Sequence, residues 1–210
     1  MDKLELTTGR LERNIEERGE TLIQISLQHP AVVGGDEGPF GALSRCLSQA
    51  AENLATALSQ CMLGEARAAA HMLPETLPYQ LSGTFSTTYN AQGVLSFFTD
   101  VFLYAGGMRG ITYRYGASFL TSDELRPLFL TSLFPAGTDV CAAVTDFIAA
   151  RQGRDAAAIR AAFSPENIYL TDSGLAVFFA PGSVGPVAGG IAVFTVPYGD
   201  EGPYAPGDIV

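Results

Sequence analysis

The 210-residue chain has no tryptophan, two histidines, three cysteines and, among its 12 basic residues, a single lysine, Lys3. Each scarcity closes a class of function. Counterion release on nucleic acid needs a basic surface, and a formal charge of −10 excludes the usual nucleic-acid binder. One lysine cannot build the polybasic patch that holds a protein on an anionic membrane. His29 and His71 are far apart and have no local ligand partners, so they predict a strand-end and a helix-end histidine and no metal site. Cys46, Cys61 and Cys141 form an odd set without CxxC or metal spacing, beside Ala and Leu in helical stretches; they read as small buried hydrophobes. Nothing in the sequence calls for a cofactor. The N-terminus is charged from Asp2 to Glu20 and lacks the apolar region of a secretory signal. Met1 is then either a native cytoplasmic start or the remnant of a longer chain from which a leader or anchor was removed.

What the chain does have is apolar residues, 47%, against 16% charged, which is a folding composition and not a disordered one. Its length fits one domain. The stretch Ser173–Gly199 carries no charge and is long enough to cross a bilayer, but Pro181, Pro186 and Pro197, with Gly182, Gly185, Gly189 and Gly190, would break a spanning helix. Its apolar runs Leu175–Ala180 and Ile191–Val196 read as two buried strands joined by a loop, so no membrane span is expected.

Before that, Thr21, Ile23 and Ile25 mark a strand ending at His29-Pro30, and Gly34–Pro39 is a loop. Leu43, Leu47, Leu54, Leu58 and Met62 recur at helical spacing from Phe40 to about Met72, where Pro74 and Pro78 stop the helix. Tyr79–Tyr89 alternates as a half-buried strand. Val94–Tyr104 is apolar on both alternating sets and reads as a central strand. After the loop Gly106–Gly110, Ile111–Leu120 alternates again. Short links make these three strands an antiparallel meander. Thr138–Arg151 and Asp155–Phe163 are shorter helices, and Asp172-Ser173-Gly174 is a tight turn. The expected fold is α+β: an antiparallel meander with one long and two shorter helices packed against it.

Nucleophilic and phosphate-binding motifs fail on context. Pro181-Gly182-Ser183-Val184-Gly185 has proline where a nucleophile elbow needs its first glycine, and it precedes a strand. Gly106–Gly110 opens a strand and no Walker lysine follows. Asp100 interrupts the central strand between Phe98 and Phe102, where a charge needs a partner. In a tight meander Arg114 lies on the same face, so the two either neutralise each other or join Arg109 in a polar binding cluster. Glycosidase-type chemistry would need a second facing carboxylate, and the pattern does not place one. Arg160 is the last basic residue; Glu166, Asp172, Asp200, Glu201 and Asp208 follow it, a field that suits basic partners or solubility.

Two stretches carry a resemblance. Tyr104-Ala105-Gly106-Gly107-Met108-Arg109-Gly110, running on to Tyr115 and followed by Leu128–Phe134, is similar to the pattern Y-x-G-G-x-H-G with its later L-x-D-L-F. Ile168-Tyr169-Leu170, Gly174–Phe179 and Gly189 to Pro197-Tyr198 resemble the closing F-Y-L-x-x-x-G-L … I-P-Y pattern. Together they resemble the RsiV-like domain, the extracytoplasmic part of anti-sigma-V factors that sense lysozyme, related to domains that precede some peptidoglycan deacetylases. The likeness covers roughly residues 20–198, with an N-terminal half (20–105), a C-terminal half (106–198) and an acidic tail (199–210), in a single domain.

The resemblance implies an α+β fold, an extracytoplasmic location if a leader or anchor was removed, and binding in place of catalysis. The partner class it implies is a lysozyme-like protein or a cell-wall component, and an acidic domain suits a basic enzyme. The family's loop histidine is Arg109 here, so no role resting on an imidazole carries over. No anti-sigma segment or deacetylase domain is expected in these residues. The reading is therefore a non-catalytic binding module with Tyr104, Gly106, Gly107, Arg109 and Tyr113 at the contact and Asp100 and Arg114 beside it. The rival readings are an enzyme using Asp100 and its neighbours, and a structural module that dimerises through exposed apolar surface.

Overall fold

The computed structural model describes residues 3–34, 38–121, 125–153, 155–199 and 203–209. Parts of two expected features, Gly35–Glu37 of the first loop and Asp200–Gly202 of the acidic tail, lie outside the described residues. The elements run β1 (Leu6–Glu17), β2 (Glu20–Val32), α1 (Gly38–Met72), β3 (Tyr79–Ala91), β4 (Val94–Tyr104), β5 (Ile111–Leu120) and β6 (Arg126–Pro127). They continue α2 (Val140–Gln152), α3 (Ala156–Ala162), β7 (Ile168–Thr171), β8 (Gly174–Phe179) and β9 (Ala192–Pro197), with short 3-10 turns between. β1 to β6 form a six-stranded sheet in chain order, and β7 to β9 a three-stranded one. The fold is α+β.

The larger sheet is not a pure antiparallel meander. β2 and β3 run parallel, with Ile23 opposite Tyr79 and Leu27 opposite Gly83. Parallel neighbours need a long crossover, and α1 supplies it. The charged start of the chain is itself a strand, β1, paired antiparallel with β2 along its length. Arg18 (φ 55°) and Gly19 (φ 82°) make the two-residue left-handed turn that joins them. β2 runs through His29-Pro30 to Val32; its parallel ladder with β3 ends at Leu27, so Pro30 sits where that flank has no partner to lose.

The chain packs as two compact units. The N-terminal unit is Glu5–Phe85 with Thr99–Tyr113; the C-terminal unit is Met1–Leu4 with Ser86–Phe98 and Arg114–Val210. In the N-terminal unit, Leu22, Ile23, Ile25 and Leu27 of β2 are buried against α1. The buried stripe of α1 is Leu43, Leu47, Ala55, Ser59, Met62, Ala66 and Ala69, while Leu54 and Leu58 are only half-buried. Small residues along that stripe let the helix backbone approach the strands closely. Ion pairs Arg13–Glu52 (3.5 Å) and Arg67–Glu17 (2.7 Å) tie the exposed side of α1 to β1. His29 lies across the ladder from Gly9, its ring in the space a Cβ there would take, and its Nδ1 is 3.1 Å from Pro30 O.

In the C-terminal unit β8 is buried along its whole length, as a strand covered on both faces must be. Leu175, Val177 and Phe179 join the core made by Val144, Ile148, Ile159, Leu130 and Leu133. Ala176 and Phe178 face the other way, onto Tyr169 and Phe98. Burying a side chain such as Phe179 contributes roughly 1.5–3 kcal/mol. Asp139 caps α2 by accepting from Ala142 N–H at 3.0 Å, and Asp155 caps α3 through Ala157 N–H at 3.0 Å. Gly153, at φ 59°, ends α2.

The uncharged Ser173–Gly199 stretch forms β8, a loop and β9, and no described helix is long and apolar enough to cross a membrane. The cysteines lie on helices, but Cys61 and Cys141 are exposed and Cys46 is half-buried, which corrects their reading as core residues. Cys61 precedes Met62 of the buried stripe and so falls a third of a turn away from it.

Candidate functional site

Six of the seven expected contact residues fall in the N-terminal unit: Asp100, Tyr104, Gly106, Gly107, Arg109 and Tyr113. β4 carries Asp100 and Tyr104, both half-buried; β5 begins with Ile111 and carries Tyr113; residues 105–110 connect the two strands. Gly106 adopts φ 72°, and a Cβ there would stand 2.5 Å from Thr76 Cβ and 3.2 Å from Thr76 O. Only a glycine fits so near that turn in that conformation. Gly107 faces open space. Gly110 packs directly on the Phe102 ring.

Thr76, against which Gly106 lies, is itself tied to the end of α1. Its Oγ1 donates to Leu73 O at 2.8 Å and its N–H to the same carbonyl at 3.0 Å. That end of the unit is apolar and open to water. Met108 is 101% exposed, Met72 74%, Ile111 54% and Leu73 52%, with Tyr113 and Arg109 also exposed. Met72, Leu73, Met108 and Ile111 are absent from the sequence-derived set. Leu73 continues the spacing of the buried α1 stripe, which signals burial; it escapes cover because the helix stops before Pro74.

Arg114 belongs to the C-terminal unit, where it is engaged with aromatic rings. Its guanidinium lies 3.7 Å from the Phe98 ring centre and 5.9 Å from that of Tyr169, and Nη1 donates to Tyr169 Oη at 3.4 Å. Burial, with the nearby Asp172 charge, pushes the Tyr89 phenol above its ordinary range. Burial does the same to Tyr198, which donates to Thr171 O at 2.8 Å. Both phenols are hydrogen-bond donors at neutral pH and not bases.

A cleft of about 490 Å³ in the same unit is lined by β5 from Gly116 to Phe119 and by residues 127–131, with Glu166 as the single ionisable group among the described residues that line it. Paired-carboxylate hydrolysis needs two such groups. Among the described residues no three His, Cys, Asp or Glu side chains gather to hold a metal ion.

Residues 132–199 match DUF3298, a protein family of unknown function. The DUF3298 match runs from the 3-10 turn before α2 through β9, within the C-terminal unit. The whole chain is similar in fold to a DUF3298 family member from Bacteroides fragilis, at 15% identity and TM-score 0.56, covering 94% of this chain and 92% of that one. It is also similar to a DUF3298 family protein from Pseudomonas aeruginosa, at 12% identity and TM-score 0.53, covering 92% and 91%. At such identities the likeness extends to the fold. No curated protein matches the chain.

Proposed function

We propose that this protein is a non-catalytic binding module that recognises another protein through the glycine-loop end of its N-terminal unit, as an RsiV-like sensing domain would. The observation that carries the reading is the exposure of Met108, Ile111 and Tyr113, on and after a loop whose Gly106 lies against Thr76, in the turn that follows the exposed Met72 and Leu73. Clustered exposed hydrophobics mark interaction surfaces, and flexible methionines suit a surface that moulds to its partner. Arg109 supplies a directional polar anchor beside them. A net charge of −10 favours a basic partner and speeds its encounter, which makes a basic lysozyme the partner of choice. On this reading the chain works at the cell envelope, outside the cytoplasm.

Calorimetric titration with a basic lysozyme at low and high salt tests the reading. A binding heat that weakens as salt rises supports it. Absence of heat at both ionic strengths removes lysozyme as the partner.

A further inference from the structure

The three-stranded sheet ends at β9, which pairs with β8 and with no other strand among the described residues. The register identifies the backbone groups left open. Phe178 donates its N–H to Asn167 O at 2.9 Å, so even-numbered residues of β8 direct their backbone groups at β7. Leu175, Val177 and Phe179 therefore direct theirs at β9, onto Val196, Phe194 and Ala192. Val193 and Thr195 are one step out of phase. Their N–H and C=O groups point away from the sheet, and both residues are exposed. Pro197 comes next in that row and, having no N–H, ends the run of donors.

A groove of about 300 Å³ runs beside this edge, with Phe147, Ile148 and Arg151 of α2 on one side and β9 on the other. Phe147, Ile148 and Phe194 put apolar atoms on one part of it, while the rest of its lining is polar. Arg151, exposed in the last turn of α2, is the one cation lining it and has no carboxylate partner among the described residues. An open strand edge beside a helix is the geometry by which an extended peptide adds a strand: ladder bonds hold the backbone, and alternate side chains enter the groove. The open run is only two residues long and the groove is small, so it fits a short chain end and not a strand passing through. A chain end also brings the carboxylate that Arg151 lacks.

We propose that β9 binds the C-terminal segment of another protein as an added strand, with a side chain entering the groove lined by Phe147 and Phe194 and the terminal carboxylate on Arg151. This site is independent of the glycine-loop surface.

The test is fluorescence anisotropy on the full chain with a fluorescein-labelled hexapeptide of alternating threonine and valine, as the free acid and as the C-terminal amide. The free acid is expected to bind at least tenfold more tightly than the amide. Arg151→Glu should lose that difference while keeping the wild-type thermal transition. N-methylation of alternate peptide amides, which leaves the protein untouched, should abolish binding. In nitrogen–proton correlation spectra the Val193 and Thr195 amides should shift and gain protection from exchange. No binding of the free acid, equal binding of acid and amide, or undiminished binding of every N-methylated peptide would each overturn the proposal.

Discussion

Gly106 and Thr76 occupy each other's van der Waals space: a Cβ on Gly106 would stand 2.5 Å from that of Thr76. The left-handed turn of the glycine loop and the 3-10 turn after α1 thus hold one another, and Met108 projects from the loop they fix.

Gly106→Ala should therefore cost about 1–3 kcal/mol, from the positive φ and the displacement of Thr76. Gly107→Ala, with nothing within 4 Å of the new methyl and no left-handed backbone to strain, should fall within about 0.5 kcal/mol of wild type. Urea unfolding of the two variants measures both. Equal losses would show that the loop is not pinned at Gly106.

A second prediction concerns Ser96, a hydroxyl with no exposed surface inside the C-terminal unit. Its Oγ accepts the Leu170 N–H at 2.8 Å and lies 2.8 Å from Ser118 Oγ, linking β4, β5 and β7. Ser96→Ala leaves the Leu170 N–H without its acceptor, at a cost of about 1–3 kcal/mol. Thr88→Ala removes only a 3.5 Å contact to the same oxygen and should be near neutral. Denaturant midpoints at unchanged slope would confirm the ranking; a neutral Ser96→Ala would contradict it.

Glu17 gives the pH-dependent prediction. The hydrogen bond from Arg67, aided by its charge, holds the Glu17 carboxyl below the ordinary glutamate range. A lowered folded-state value means that the pair contributes above the unfolded pKa and is lost as pH falls through the folded one. In carbon-detected titrations the Glu17 midpoint should rise toward its ordinary value in Arg67→Met. The same midpoint in both proteins would show that the pair is not formed in solution. The pair is exposed, so its effect is on titration far more than on stability.

Much of the fold was legible because the deciding signals are local. β4 announced itself by apolar residues on both alternating sets, β5 by alternation, and α2 by Asp139 and Gly153 at its ends. β1 did not, since an edge strand with most side chains in water has no buried face to print an alternation. The parallel pairing of β2 with β3 is a contact across the whole of α1, and no spacing within either strand encodes it. At the candidate site, Tyr104, the glycines and Arg109 stood out by residue type. Met72 and Leu73 carried the signature of a buried helix stripe, and only the helix's end leaves them uncovered. Arg114 stood out as a charge on an apolar strand; its stack on Phe98 joins β4 to β5 side by side, which needs the register as well as the sequence.

The central claim, that the glycine-loop end is a protein-binding surface, is tested most directly by comparing lysozyme affinity for wild type and Met108→Asp. Met108 is fully in solvent, so the substitution should leave the thermal transition unchanged. Binding at this surface predicts at least a tenfold loss of affinity in the variant. An affinity equal to wild type would contradict it.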